Sequence, residues 1–573
     1  MSELKQDSGK ILKFEKSAKY HFRKYQKHID SGNYFASLAA LRNAMVQEPD
    51  NPEYLLSYAE LLTEIEHFYE SNVVLFDMMQ NVNNENAQYV QDIIFDIGCN
   101  FTGLQDYEKA AECFERYLYK YPNSEYSANA SDMLQYIKSD SFEYEILDLP
   151  KEAYELSHKG KYLLDSGNYS DACILFKQLT KDYPEQSFLK NNLSLAYYCT
   201  GRVDDAAEMS LSILEDEPDN IHALCNLILF FQSMGDMGSY YEYLMRIDEC
   251  KPQNADEYLK LMITYGEAGK PSKAYELVKP LSDLQPYDTR TLFLCAIVCI
   301  NNGKYEQAKD ILSNMLCIDP DDTVAEYYLG VACGAIADGE TVYEIPYIYQ
   351  VSPEEAKSRL RYLNSCMAMT YDEIIRLWKT PDNLLRKILI WGISLNDLSI
   401  KSVCINILIS FHDEEAIRIL KSFLLNENEP DSIKNEIFIM FNTIGVKQPY
   451  IAYISGKIAE VRVGSIENRV GLSKCHEELV SVILSSPYTE SNKNIISDSI
   501  KTLNRYYSKF TKAPSVRNLN AWATAIIYYS MLESDPELIP SLGTMCKDMN
   551  ADIKAVKRCY KLIENKLKGN LDE

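Results

Sequence analysis

The chain has 573 residues, 25% of them charged and 46% apolar, and its 84 acidic side chains outnumber 58 basic ones to leave a formal charge of −26. That length exceeds what one hydrophobic core supports, so two or three segments are expected, or repeats that pack only on their neighbours. The acidic balance opposes long-range attraction to nucleic acid or anionic membrane and favours basic or apolar partners.

Residues 1 to 24 hold no apolar run of signal-peptide length and the fifteen cysteines are an odd number, so a cytoplasmic chain with reduced thiols is expected. The longest apolar stretches, such as 292 to 300, reach about half of the ~20 residues a membrane span needs. No membrane segment is expected.

Residues 1 to 17 are polar, with Lys5, Lys10, Lys13 and Lys16, and predict a flexible tail. Apolar helical periodicity then fills 18 to 138. Gly32-Asn33-Tyr34 is followed by Pro49, seventeen residues after the glycine. Glu66 stands where the next glycine belongs, and Tyr107, Ala110, Ala111, Phe114 and Pro122 mark a third unit displaced by a few residues. Residues 139 to 152 break the phase and predict a linker.

From 153 to 340 the beat is strict. Gly167, Gly201, Gly235, Gly269 and Gly303 recur every 34 residues, and Pro184, Pro218, Pro252, Pro286 and Pro320 trail them by 17. A glycine permits the tight turn that ends one helix, and the proline stops the next. Ala172, Ala206, Ala274 and Ala308 sit five residues after their glycines, where a small side chain lets two helices approach closely; Tyr240 takes that place in the third unit. Residues 153 to 322 are therefore predicted to form ten helices in five hairpins.

This combination of period, turn glycine, small residue and late proline resembles the tetratricopeptide repeat. The resemblance implies an all-α solenoid of helical hairpins whose first helices line a partner-binding groove. In that register the groove residues are Asn191, Leu195, Tyr198, Leu229, Gln232, Ile263, Arg290, Phe293, Ile297 and Ile300. Leu195, Leu229, Ile263 and Ile297 form an apolar ladder at the ninth position of successive first helices. Such a ladder suits a helix or peptide of a protein partner, or a cover supplied by this same chain. The family's carboxylate clamp is matched in part by Asn192 and Asn226, but its lysines are missing, so a chaperone tail is not the expected ligand.

Ala325, Tyr328, Leu329 and Ala332 mark one more first helix, after which Asp338-Gly339 and 343 to 349 around Pro346 predict loop or extended chain that ends the solenoid. Residues 353 to 445 carry amphipathic helices at 353 to 367, 371 to 379, 383 to 393, 399 to 411, 414 to 425 and 432 to 444, similar to HEAT-type repeats. Within 446 to 465, alternation around Ser455-Gly456 predicts a β-hairpin.

Residues 475 to 568 predict a basic helical domain, since 490 to 568 hold 13 Lys and Arg against 8 Asp and Glu. Ala521, Ala523 and Ala525, with Val556 and Tyr560, resemble the last helices of a cyclin-box fold ending in a helix-turn-helix. Lys554, Lys557, Arg558 and Lys561 fall along one side of a helix and Val556, Tyr560 and Ile563 along another. The four bases are candidate nucleic-acid contacts, or a solvated face.

Catalytic and metal patterns do not form. His476-Glu477-Glu478 begins like a zinc-protease motif, but Val480 takes the second histidine's place. Cys295 and Cys299 hold routinely buried register positions and read as core. No phosphate-cradling glycine loop occurs, and the seven histidines are dispersed. A non-enzymatic protein–protein interaction scaffold without cofactors is expected; the alternative is a transcription-linked regulator that contacts nucleic acid through its C-terminal domain.

Overall fold

Each hairpin forms where a run of helical apolar periodicity meets a residue able to take left-handed backbone. In the computed structural model the described residues are 16–80, 87–139, 149–339, 344–380, 383–426, 429–454, 457–463, 518–534 and 540–568, with scattered positions between 479 and 506. Residues 1–15 of the tail expected at 1–17, most of the linker expected at 139–152 and His476-Glu477-Glu478 lie outside them. Two compact units emerge, Met1–Asn426 and Glu427–Glu573.

The first unit opens with the pairs α1 (Ala18–Asp30) and α2 (Tyr34–Gln47), α3 (Pro52–Glu64) and α4 (Phe68–Gln80), and α5 (Val90–Gly103) and α6 (Tyr107–Lys120), with α7 (Ser127–Ile137) packed on α6. Their turn residues Gly32, Glu66 and Gln105 share φ values of 70°, 64° and 60°. Side-chain oxygens of Asn33, Asn51 and Asp106 then accept the first free amides of α2, α3 and α6, groups that a helix start cannot satisfy itself.

The strict beat produces α8 (Lys151–Asp165), α9 (Tyr169–Asp182), α10 (Ser187–Cys199), α11 (Val203–Asp216), α12 (Ile221–Met234), α13 (Met237–Arg246) and α14 (Ala255–Glu267). Next come α15 (Pro271–Glu276), α16 (Val278–Leu284), α17 (Thr289–Asn301), α18 (Tyr305–Ile318) and α19 (Thr323–Asp338). The five turn glycines have φ between 66° and 79°. Ala172, Ala206, Ala274 and Ala308 are fully buried, and Tyr240 is 5% exposed in their company.

The expected ten helices become eleven, because the second helix of the fourth pair is cut at Leu277 into α15 and α16. Pro280 explains the cut: it has no amide hydrogen to give, and its ring crowds the carbonyl four residues back, at Glu276.

Residues 344–352 run without regular structure into α20 (Pro353–Met367), α21 (Tyr371–Trp378), α22 (Leu384–Ser394), α23 (Leu398–Ser410) and α24 (Glu414–Leu425). Charge and backbone contacts fasten these to α19. Arg386 Nη2 donates to Asp321 at 2.8 Å, Lys387 Nζ to Glu326 at 2.6 Å, and buried Arg359 to the Thr323 carbonyl at 3.1 Å.

The N-terminal hairpins return onto the later ones. Arg42 Nη1 donates to the carbonyls of Leu316 (3.2 Å) and Cys317 (2.6 Å), and its Nη2 to that of Ile318, all at the end of α18. His67 Nε2 lies 2.9 Å from the Tyr287 carbonyl, Tyr69 donates to the Ser422 carbonyl at 3.0 Å, and Lys421 pairs with Asp77 at 2.9 Å.

The second unit begins at α25 (Asp431–Ile444), which is thus separated from the five preceding helices grouped with it by sequence. β1 (Tyr450–Ile454) and β2 (Lys457–Val461) pair antiparallel, Tyr450 opposite Val461. Lys434 of α25, fully buried, donates to the Tyr453 carbonyl at 2.7 Å. Towards the C-terminus, α26 (Leu519–Ser534), α27 (Leu542–Asp548) and α28 (Ile553–Lys568) share a core in which Ala521, Ala523, Ala525, Val556 and Ile563 are fully buried. No helix among the described residues is long and apolar enough to cross a membrane.

Candidate functional site: the face of the first helices

The first helices α10, α12, α14 and α17 pack in succession, so the residues at equivalent register positions form one continuous strip. Leu195, Tyr198, Leu229 and Ile263 on that strip are half-buried, and Gln232 and Arg290 are exposed. The Tyr198 ring stacks on Phe230 with centroids 5.1 Å apart. Asn191 is 7% exposed and donates from its amide at 3.2 Å to Asn220, the residue that caps α12. Asn226 is likewise buried and donates to Ser194 at 3.1 Å, so it presents no amide to a ligand carboxylate.

Phe293, Ile297 and Ile300 stand apart from the others at 1% exposure or less. Every residue of α17 from Thr291 to Ile300 is buried, on all sides of the helix. Part of that cover is the chain's own segment 344–352. Its burial is uneven: Ile345 and Val351 are 7% and 6% exposed and Tyr347 is half-buried, whereas Glu344, Pro346, Ile348, Tyr349 and Gln350 are exposed. The backbone bends at 347–350, where the Gln350 amide donates to the Ile348 carbonyl at 2.7 Å, so the segment is seated at its two ends and turns between them.

Asn301, the last residue of α17, reads this segment through its backbone. Its Nδ2 donates to the Ile345 carbonyl at 2.9 Å while its Oδ1 accepts the Ile345 amide at 2.8 Å. The Tyr347 ring lies over Gly266 of α14, where a Cβ would fall 2.2 Å from Cζ. Tyr349 meets Phe293 with centroids 4.5 Å apart, and the Tyr328 hydroxyl donates to the Gln350 carbonyl at 3.0 Å. Burial pushes the Tyr328 phenol up to about 12, which keeps it a donor throughout the physiological range.

Sequence reasoning did not single out Asn301 or Gly266, and it marked Tyr328 only as part of one more first helix. The available signal was a glycine in the last turn of a first helix, which leaves space on that turn for something to be seated on it. A second was the aliphatic and aromatic set Ile345, Tyr347, Tyr349 and Val351.

Elsewhere in the first unit, α3 and α5 hold an acidic group. Asp96 Oδ2 is buried with no hydrogen-bond partner among the described residues, and burial followed by the charges of Glu60 and Asp92 raises its carboxyl to about 7. Cys295 and Cys299 are fully buried, and burial pushes the Cys299 thiol up to about 12. The described residues contain no cluster of three potential metal ligands. In the second unit, Lys554, Lys557, Arg558 and Lys561 are exposed on α28, and none has an ion-pair partner among the described residues.

Comparison with known proteins adds sequence relationships. Two tetratricopeptide repeat family models match, at residues 92–124 and 159–220. The TPR repeat-containing protein YvcD of Bacillus subtilis (strain 168) is 25% identical over 192 residues, which is 33% of this chain and 39% of that protein. The chain thus matches well under half the length of this curated relative. Among solved structures, YrrB, a TPR protein described as having an unusual peptide-binding site, is 16% identical with a TM-score of 0.23, covering 29% of this chain and 86% of that one. The TPR2AB domain of yeast Sti1 in complex with pHSP90 is 15% identical with a TM-score of 0.21, covering 47% and 98%. Superpositions that loose transfer no ligand.

Proposed function

Because this chain is a tetratricopeptide repeat protein, we propose that it is a non-catalytic interaction scaffold that takes an extended segment of a protein partner on the face of its first helices. The observation that carries this reading is the half-buried ladder Leu195, Leu229 and Ile263, an apolar strip on the first helices of three consecutive hairpins. Apolar anchors in such a strip supply the affinity, and side chains at the rim supply selection.

The test is a display library of extended peptides panned against the full chain. Peptides that bind the natural protein are expected to lose about tenfold or more in affinity, roughly 1.4 kcal/mol, in Leu229→Glu. That variant must keep its helical circular dichroism. Selected peptides that bind it equally well rule the face out.

The exposed bases of α28 favour a second reading, contact with nucleic acid. The full chain is then expected to bind duplex DNA with an affinity that falls steeply as salt rises and that Lys557→Glu/Arg558→Glu abolishes. Absence of binding at low salt removes this reading.

A further inference from the structure

Residues 344–352 do not cover the first helices the way a linker crosses a surface. The contacts divide into two kinds. One kind reads backbone groups that any peptide carries: Asn301 takes both the carbonyl and the amide of Ile345, and Tyr328 takes the carbonyl of Gln350. The other reads side chains: Gly266 leaves a flat place for an aromatic ring, which Tyr347 fills, and Phe293 faces Tyr349. Gly266 is the penultimate residue of α14, and its missing side chain leaves the space above the last turn open to the Tyr347 ring. A side chain offering two hydrogen bonds to one residue's backbone would be satisfied equally by a peptide segment from another molecule.

We propose that residues 344–352 are a built-in occupant of a peptide site formed by Gly266, Phe293, Asn301 and Tyr328, and that the external ligand of this site is a peptide segment of the same chemistry which must displace them. That chemistry is an aliphatic residue whose backbone meets Asn301, an aromatic ring two residues later over Gly266, and a second aromatic two beyond. The proposal rests on the scaffold reading above and adds to it a competition. Because both ends of the occupant are covalently held, its effective concentration at the site is on the order of millimolar, enough to suppress any weaker ligand. The apolar ladder on α10 and α12 is continuous with this site, so a longer partner engages the open strip first and then competes for the covered end.

The experiment uses a labelled peptide with the sequence of residues 344–351, titrated by fluorescence polarisation into the full chain. Natural protein is expected to bind it weakly. Ile345→Ser/Tyr347→Ser, which empties the site while sparing its walls, is expected to bind at least about tenfold more tightly. Adding Asn301→Ala to that variant is expected to abolish the gain. If the emptied variant keeps its helicity and melting temperature but binds no better than natural protein, the competition is refuted.

Hydrogen exchange on the natural chain keeps the question decidable should the emptied variant unfold. The amide of Ile345, a displaceable contact, is expected to exchange at least about a hundredfold faster than the amides of residues 293–299. Equal protection makes the segment a permanent part of the core and overturns the proposal. The two readings fail differently. Library peptides that bind natural and emptied protein equally sink the competition and leave the scaffold standing. Binding of the 344–351 peptide to the emptied variant, with no library peptide binding either protein, upholds the site and sinks the scaffold reading.

Discussion

At Glu66 the second hairpin keeps the turn of its neighbours without the residue that suits it. Its φ of 64° matches the 70° of Gly32, but a side chain there crowds the backbone. Glu66→Gly is expected to stabilise the protein by roughly 0.5–1 kcal/mol, the strain relieved less the entropy that glycine adds to the unfolded chain. The converse holds at Gly201, whose φ is 79° and where an added Cβ would meet no atom within 4 Å. There the cost of Gly201→Val is backbone strain alone, about 1–2 kcal/mol, and an unchanged urea midpoint would refute it. Asp96 gives a pH signature. Its folded-state pKa of about 7 lies above the ordinary aspartate value, so the folded form holds the proton more tightly than the unfolded one. Stability from this group is therefore full below about pH 4 and is lost as pH rises towards 7. Asp96→Asn is expected to raise the melting temperature at pH 8 and to change it little at pH 4, and a gain of equal size at both would contradict the assignment.

The helix pairs were legible because their punctuation is local. A glycine, a small residue and a proline act within a few positions of themselves, and a 34-residue repeat of all three leaves few alternatives. The break at Leu277 was equally legible in Pro280, but the strict beat drew attention to Pro286 instead. What could not be read is what lies across from each helix. Leu195 and Ile297 hold the same register position, yet one is half-buried and the other fully covered, and α17 is the helix to which a segment 48 positions after Ile297 returns, at Asn301 and Phe293. Nothing in the period of α17 encodes that return. The same holds for Arg42, whose guanidinium serves the last three carbonyls of α18 from across more than 270 residues. A cation at a helix C-terminus satisfies acceptors that the helix cannot and complements its dipole. Arg42→Met is expected to cost about 2 kcal/mol and to speed hydrogen exchange at the end of α18. Exchange there that stays unchanged would leave Arg42 as a surface contact.

In an open solenoid each repeat answers only to its neighbours, and the array loosens from its ends. The first unit departs from that description. Its N-terminal pairs touch α18 through Arg42, the loop before α17 through His67, and α24 through Tyr69 and Lys421. Combined loss of two such ties, in Arg42→Met/Lys421→Met, is expected to increase exchange in α1 to α4 and in α18 and α24 together, while α10 to α12 hold theirs. Exchange confined to α1 to α4 would show that they fray as an ordinary end.

Lys421 meets Asp77 across 344 positions of sequence. During synthesis at about 5–20 residues per second, α4 waits roughly 17 to 70 seconds for that partner to leave the ribosome. Over this interval the earliest hairpins can complete their own turns but not their shared surface with α18 and α24, and the apolar and carbonyl groups on it stay open to other proteins. The order in which these helices are made thus runs against the order in which they are joined, and α1 to α4 are finished only after α18 and α24 exist.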